Sequence, residues 1–245
     1  LKADVITRFD MKSVEASQYQ NIQNSGTISV IDFNYESKEM AKPFKIKQAT
    51  IAFNPKEIRL NKFDGETGNS DFHVTGSLNN FYGFLFKNQV LKGNFEMTSQ
   101  QFEVADFMET KTDTTSTKTS KESLKIPAFL DVIITAKATT VVYDNLNLKE
   151  VSGDLAIKDE AVSLSNLKMN AFGGQIALSG MVSTKEKTPK FEMNLGLNSL
   201  NISESFTQLA MLKAIAPIAN VVLGKLNSTI KLSGNLTNNM TPDLK

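Results

Sequence analysis

His73 is the only histidine in the 245 residues, and there is no cysteine. Any Ser-His-Asp triad would have to run through His73. Thiolate catalysis, disulfides and Cys-based zinc sites are excluded outright. His73 lies between Phe72 and Val74 on the polar side of an alternating stretch, and no G-x-S-x-G elbow occurs in the chain. It reads as an ordinary exposed strand residue. Asp64, Glu66, Asn69 and Asp71 crowd one short segment with Gly65 and Gly68. Oxygen ligands at such spacing suit calcium. The pattern is not an EF-hand loop, however, Asp-Gly is a common turn pair, and the related segment Lys168 to Gln175 carries no carboxylate. A solvated loop is expected there. The Gly173–Gly174 pair lacks a following Lys and leads into a strand, so it reads as a tight turn rather than a phosphate cradle. The chain is therefore expected not to be an enzyme: no catalytic residue, no metal and no cofactor are assigned.

With chemistry set aside, the elements carry the information. Lys and Arg number 27 against 26 Asp and Glu, a net charge of +1. That leaves no electrostatic case for nucleic acid. Hydrophobic residues make up 40%, with 16 Phe and no Trp. Frequent Thr and Phe suit strands better than helices.

Alternation at period two dominates. Ile51 and Phe53, Ile58 and Leu60, and Phe72 and Val74 alternate with polar neighbours, as do Leu155 and Ile157, Val162 and Leu164, and Ile176 and Leu178. Period two places each apolar set on one face of a strand. The intervening Thr, Ser, Lys, Asn and Gln mark strands buried on one side only, which are typically antiparallel. These twelve apolar residues are predicted to line one continuous face.

The two halves of the chain repeat each other. A shift of 104 superimposes Ile51 on Leu155, Leu60 on Leu164, Phe63 on Leu167, Phe72 on Ile176 and Gly76 on Gly180 without a gap. Further on, a shift of 98 superimposes Phe95 on Met193, Met97 on Leu195 and Phe102 on Leu200. The six lost residues fall in the segment Phe81–Tyr82–Gly83–Phe84, and a short helical turn is possible around Asn79 to Phe86. A unit that occurs twice favours an extensible architecture over a closed globule.

Two segments break the strand pattern. Thr110 to Ser123 (TKTDTTSTKTSKES) is polar and of low complexity and reads as a flexible loop. It divides the chain into a first unit, 1–109, the loop, 110–123, and a second unit, 124–245. Ile202 to Leu226 is the one good helix candidate, with a helix at about 203–223. Asn201 or Ser203 can cap its start, Pro217 should kink or end it, and Phe206, Leu209, Leu212 and Ile215 fall on one apolar face. That helix could pack on a sheet, plug one end of a groove, or lie on a membrane surface.

The run GDLAIKDEAVSLSNLKMNAFGGQIALSG, from Gly153 to Gly180, resembles the repeat of the AsmA family. The run LAMLKAIAPIANVVLGKLNSTIKLSGNL, from Leu209 to Leu236, resembles the C-terminal region of the same family. Asn69 and Ser70 replace the Gly-Gly pair in the first unit, which points to a different turn there. The resemblance implies a periplasmic protein tethered to the inner membrane through an anchor outside this chain. It implies phospholipid or another acyl lipid as partner, and a role in outer-membrane lipid homeostasis. It carries over no catalytic residue.

The expected fold is thus mainly β: a long curved antiparallel sheet forming an open groove from repeated units, with one apolar helix near the C-terminus. The expected function is to bind or conduct phospholipid along that groove. The alternative is a non-catalytic β-sandwich scaffold or adhesion module with a dry core.

Overall fold

The structure is a computed structural model and describes residues 1–8, 10–36, 42–107, 125–208, 223–237 and 243. Twelve strands form one sheet. They are β1 (Lys2–Arg8), β2 (Gln23–Tyr35), β3 (Phe44–Phe53), β4 (Glu57–Thr67), β5 (Ser70–Asn79), β6 (Leu91–Glu103), β7 (Leu130–Tyr143), β8 (Leu146–Lys158), β9 (Ala161–Ala171), β10 (Gly174–Ser183), β11 (Lys190–Asn201) and β12 (Lys225–Asn235). Three α-helices are described, α1 (Met11–Glu15), α2 (Phe81–Lys87) and α3 (Ile202–Gln208), with 3₁₀ turns at Tyr19–Asn21 and Val104–Phe107.

Each strand pairs with its neighbours in sequence, and β1 and β12 are the outermost strands among the described residues. The sheet is not closed into a barrel. It is also not purely antiparallel, which corrects the expectation: β6 and β7 run parallel, with Leu91 beside Leu130 and Phe95 beside Ile134. The reason is arithmetic of direction. Strands β2–β6 make an antiparallel unit of five, an odd number, so the last strand points the same way as the first. A second unit in the same orientation, β7–β11, must therefore begin parallel to β6. A parallel neighbour needs a crossover instead of a hairpin, and the chain leaves β6 at one end of the sheet and enters β7 at the other.

The two units agree in register as well as in pattern. Leu60 pairs with Gly76 as Leu164 pairs with Gly180. Ile51 faces Leu60 as Leu155 faces Leu164. Val74 faces Met97 as Leu178 faces Leu195. Even the irregularities repeat. Between Leu60 and Phe63 on β4, and between Leu164 and Leu167 on β9, one extra residue is absorbed by a bulge. In β9 Asn166 takes φ 55° to form it. A single inserted residue would otherwise flip every later side chain. The bulges return Phe63 and Leu167 to the face of Leu60 and Leu164.

The sequence from Asp64 to Asp71 is not a loop. β4 runs on through Thr67 and β5 starts at Ser70, so only Gly68 and Asn69 turn. The turns of the two units do differ. Gly68 has φ 54°, whereas Phe172 and Gly173 have φ 51° and 65°. A positive φ costs an aromatic residue strain, and Phe172, buried in an apolar cluster, offsets it by packing. Gly174 is required for a separate reason: a Cβ there would meet the β11 backbone at Asn198 O, 2.4 Å away.

The six residues that separate the two repeat shifts build α2. It lies between left-handed Asn80 and Asn88, where unit two has only residues 184–189 between β10 and β11. α1 is capped by Asp10, whose carboxylate accepts from Ser13 N at 2.9 Å and Ser13 Oγ at 2.8 Å. At α3, Asn201 provides the cap, its Oδ1 accepting from Glu204 N at 3.0 Å. Phe206 is half-buried on α3, and Leu209, Leu212 and Ile215 lie outside the described residues. The predicted helix does not extend to Leu226, which stands in β12 opposite Leu200.

Candidate apolar binding face

Directly opposed residues share a face of a sheet, so the pairing register maps the side chains. One row crosses all twelve strands: Val5, Gly26, Phe53, Ile58, Leu78, Gly93, Val132, Ile157, Val162, Val182, Phe191 and Gly234. The next row does the same through Ala3, Ile28, Ile51, Leu60, Gly76, Phe95, Ile134, Leu155, Leu164, Gly180, Met193 and Leu232. Neither row contains a polar side chain. At about 4.8 Å per strand, twelve strands make each row about 50 Å long.

All twelve residues predicted to line a face fall on this one. Phe53, Ile58, Ile157 and Val162 belong to the first row, and Ile51, Leu60, Leu155 and Leu164 to the second. Val74 and Leu178 follow next along β5 and β10, and Phe72 and Ile176 stand beyond them, opposite Gly65 and Met169. Phe72 and Ile176 are buried, and the other ten are half-buried. The twelve come from β3–β5 and β8–β10 alone, so sequence reasoning left β1, β2, β6, β7, β11 and β12 out of the face. In β7 the doubled Ile133–Ile134 blurs the alternation, and Ile133 in fact points away, 45% exposed.

Among the described residues, one end of the face is filled and a hollow lies beside the filled part. Along the rim that carries the Gly68 and Gly173 turns, here the lower rim, two apolar clusters fill the space. In unit one, Phe44 stacks on Phe72 at 5.7 Å and Phe102 on Phe107 at 4.8 Å, while Phe72 meets Phe107 edge-on at 5.7 Å. In unit two, Leu146, Met169, Phe172, Ile176, Leu197 and Leu200 form an aliphatic counterpart, with Leu226 and Ile230 of β12 packed against it. Above this cluster the side chains part. A hollow of about 300 Å³ is lined by Leu155, Val162, Leu164, Leu178, Val182, Phe191 and Met193. Leu200 is the one large apolar side chain that is wholly buried among the described residues.

At the upper rim, α1 and α2 meet. Val14 and Ile22 pack with Tyr82, joined by Tyr19 and Phe81. Asn24 Nδ2 donates to Tyr82 Oη at 2.6 Å, and Lys87 Nζ to the Glu15 carbonyl at 3.1 Å. The β5–β6 connection thus reaches back across three strands to hold the β1–β2 connection.

The polar face holds the residues first singled out for chemistry. His73 Nδ1 lies 2.7 Å from Asp64 Oδ1, and its Nε2 is 3.6 Å from Asp71 Oδ2. A second carboxylate therefore stands where a triad needs a hydroxyl. Asp71 is occupied by the Gln100 and Gln101 N–H groups, and Glu66 by Lys45 and Lys47. His73 and Lys62 beside Asp64 hold its carboxyl below the usual range. Among the described residues no group of three or more His, Asp or Glu side chains is placed to hold a metal.

One charged residue escaped the sequence reading. Asp106, just past β6, has a fully buried side chain that ion-pairs with Lys42 Nζ at 2.5 Å. It also accepts from Ser70 Oγ at 2.7 Å and Asn69 N at 2.9 Å. Burial pushes its carboxyl up, but Lys42, Ser70 and Asn69 outweigh that and hold it below the usual range. Its partners lie more than thirty positions away in sequence, so no local pattern marks it.

Among the described residues no helix is long and apolar enough to cross a membrane. Comparison with protein-family models, with curated proteins and with solved structures finds no match to this chain.

Proposed function

We propose that this chain binds acyl lipid along its apolar face and conducts it from strand to strand, as a periplasmic segment of an AsmA-like protein. The observation that carries the reading is the pair of all-apolar rows crossing twelve strands of a single open sheet. An apolar stripe of this extent is a liability in water unless something covers it. A dry sandwich core would need a second sheet, and the twelve strands lie in one.

Length separates conduction from simple storage. One acyl chain spans about 15 Å, half of the roughly 30 Å hydrocarbon core of a bilayer. A stripe of about 50 Å holds several in file. Neither row offers a charged or hydrogen-bonding side chain to fix a chain at one place, so tails can slide. Affinity comes from burying methylene groups, about 0.8 kcal/mol each. The headgroups stay in water along the open side. Tethering to the inner membrane through an anchor outside this chain, and service to outer-membrane lipid homeostasis, belong to the same proposal and rest on the resemblance.

The test uses the two sides of β9. Leu164 lies in the hollow and Ser163 on the opposite face. A carboxylate at 164 puts a charge where tails must lie. Leu164→Glu is expected to strip co-purifying phospholipid, measured by organic extraction and mass spectrometry, and to remain folded because water reaches the hollow. Ser163→Glu is expected to keep its lipid. A folded Leu164→Glu protein with a full lipid load would sink the proposal.

A further inference from the structure

α2 is apolar nearly all round: in Phe81–Lys87 only Gly83 and Lys87 are neither aliphatic nor aromatic. Such a helix belongs in a core or in a lipid phase. Here one side is used as core, with Tyr82 buried and Phe81 and Phe84 half-buried, while Leu85 and Phe86 are 52% and 43% exposed. Exposed apolar side chains gather beside them. Met11 of α1, Val90 after α2, and Phe129, whose ring lies 5.2 Å from that of Phe84, all face water. The basic residues of this corner are Arg8, Lys12, Lys87 and Lys92, all exposed. Against them stand three carboxylates: Asp10 is engaged as the cap of α1, Asp131 beside Lys92 is ion-paired with Lys158, and Glu15 remains.

We infer that the α1–α2 corner is a membrane-docking patch that seats on an anionic bilayer surface and admits acyl chains to the apolar face. Aromatic and aliphatic side chains ringed by lysines are what an interfacial site requires: rings and alkyl groups enter the headgroup boundary and the ammonium groups meet lipid phosphates. The excess of cations argues for an anionic lipid surface over a neutral protein groove. Continuity argues the same way. α2 is bounded by Leu78 before it and Leu91 and Gly93 after it, and Leu78 and Gly93 are members of the first apolar row. A tail leaving a bilayer at α2 therefore meets that row within a few residues. The inference rests on the lipid reading for its purpose but is measured separately from it.

The experiment is flotation of the whole chain with phosphatidylcholine vesicles, with and without phosphatidylglycerol. Wild type is expected to float with the anionic vesicles. Leu85→Asp/Phe86→Asp is expected to lower partitioning at least about tenfold, while the chain stays folded with only a small fall in melting temperature, since Leu85 is mostly exposed and Phe86 gives up one ring stack on Tyr82. Lys12→Glu/Lys87→Glu is expected to abolish the preference for phosphatidylglycerol. Ile133→Asp, an exposed apolar residue on the other face, serves as control and is expected to float as wild type. Flotation undiminished in the Leu85→Asp/Phe86→Asp protein would overturn the inference. So would a dimer in sedimentation that these two changes dissolve, since the patch would then belong to a second copy. Co-purifying lipid is read on the same samples: wild type that floats but carries no lipid breaks the conduction reading and leaves the docking patch standing.

Discussion

Units one and two are built on the same strand register and filled with different side chains. At the lower rim, unit one uses rings, Phe44, Phe63, Phe72, Phe102 and Phe107, where unit two places Leu167, Ile176 and Leu200. Beside those rings unit one buries the carboxylate of Asp106; the repeat position in unit two is Glu204, exposed on α3. At the upper rim, unit one inserts the apolar α2 where unit two has the polar turn 184–189. The lesson is a division of labour. Register and the alternation of faces set the backbone, and any side chains that keep the face apolar satisfy it. The rims are free to differ, and there each unit acquires its own stabilisation and its own surface.

The largest test of that comparison concerns the two rim clusters. Phe72→Ala should cost about 4 kcal/mol and Ile176→Ala about 3 kcal/mol, because both residues are buried and leave cavities in packed surroundings. Denaturant midpoints measure both. If only one of the two matters, the units are not equivalent in their packing.

The second test is electrostatic. Asp106 is buried while Lys42 stays 40% exposed, so what Asp106→Ala strands is the pair of donors Ser70 Oγ and Asn69 N, and it should cost about 2 kcal/mol. Glu204→Gln should stay within about 0.5 kcal/mol. The pH dependence follows from the depressed carboxyl of Asp106. Its contribution is present above the unfolded value of about 3.9 and is lost as pH falls through the lower folded value. Asp106→Asn should therefore lower the melting temperature at neutral pH and flatten the decline below about pH 4. An unchanged acid limb would show that Asp106 is not the group responsible.

The smallest effect is expected in the turns. Gly173→Ala places a Cβ at φ 65° and should cost about 1 kcal/mol. Asn69→Ala, at the related position of unit one, meets no such strain because Asn69 is not at positive φ, and should cost clearly less. Equal losses would mean that the two turns have the same backbone after all.

Much of the face was legible in the residues themselves. Alternation at period two fixes which side chains share a side, and the twelve predicted residues do share one. The repeat was legible too, since its apolar positions align without gaps across the very strands whose registers coincide. The six-residue offset at Phe81–Phe84 located α2. Other features left no such trace. Asp64 to Asp71 looked like a loop because its polar residues and glycines are turn formers, yet cross-strand ion pairs let them stand in strands. β7 was missed because Ile133 doubles the apolar signal and obscures parity.

Local sequence decided the strands, the polarity of their two faces, the hairpin turns and the doubling of the unit. Each depends only on neighbours a few residues apart, through side-chain alternation and the φ angles that glycine and asparagine accept. The tertiary structure decided the rest. The parallel β6–β7 junction follows from counting strands in space, because an odd unit repeated in one orientation cannot join by a hairpin. The burial of Asp106 depends on Lys42, Ser70 and Asn69 arriving from other strands. The joining of α1 to α2, and with it the exposed corner of Leu85 and Phe86, exists only because the β5–β6 connection lies back across the sheet. Hydrogen bonds and packing between residues far apart in the chain carry no periodicity, and only the folded sheet brings them together.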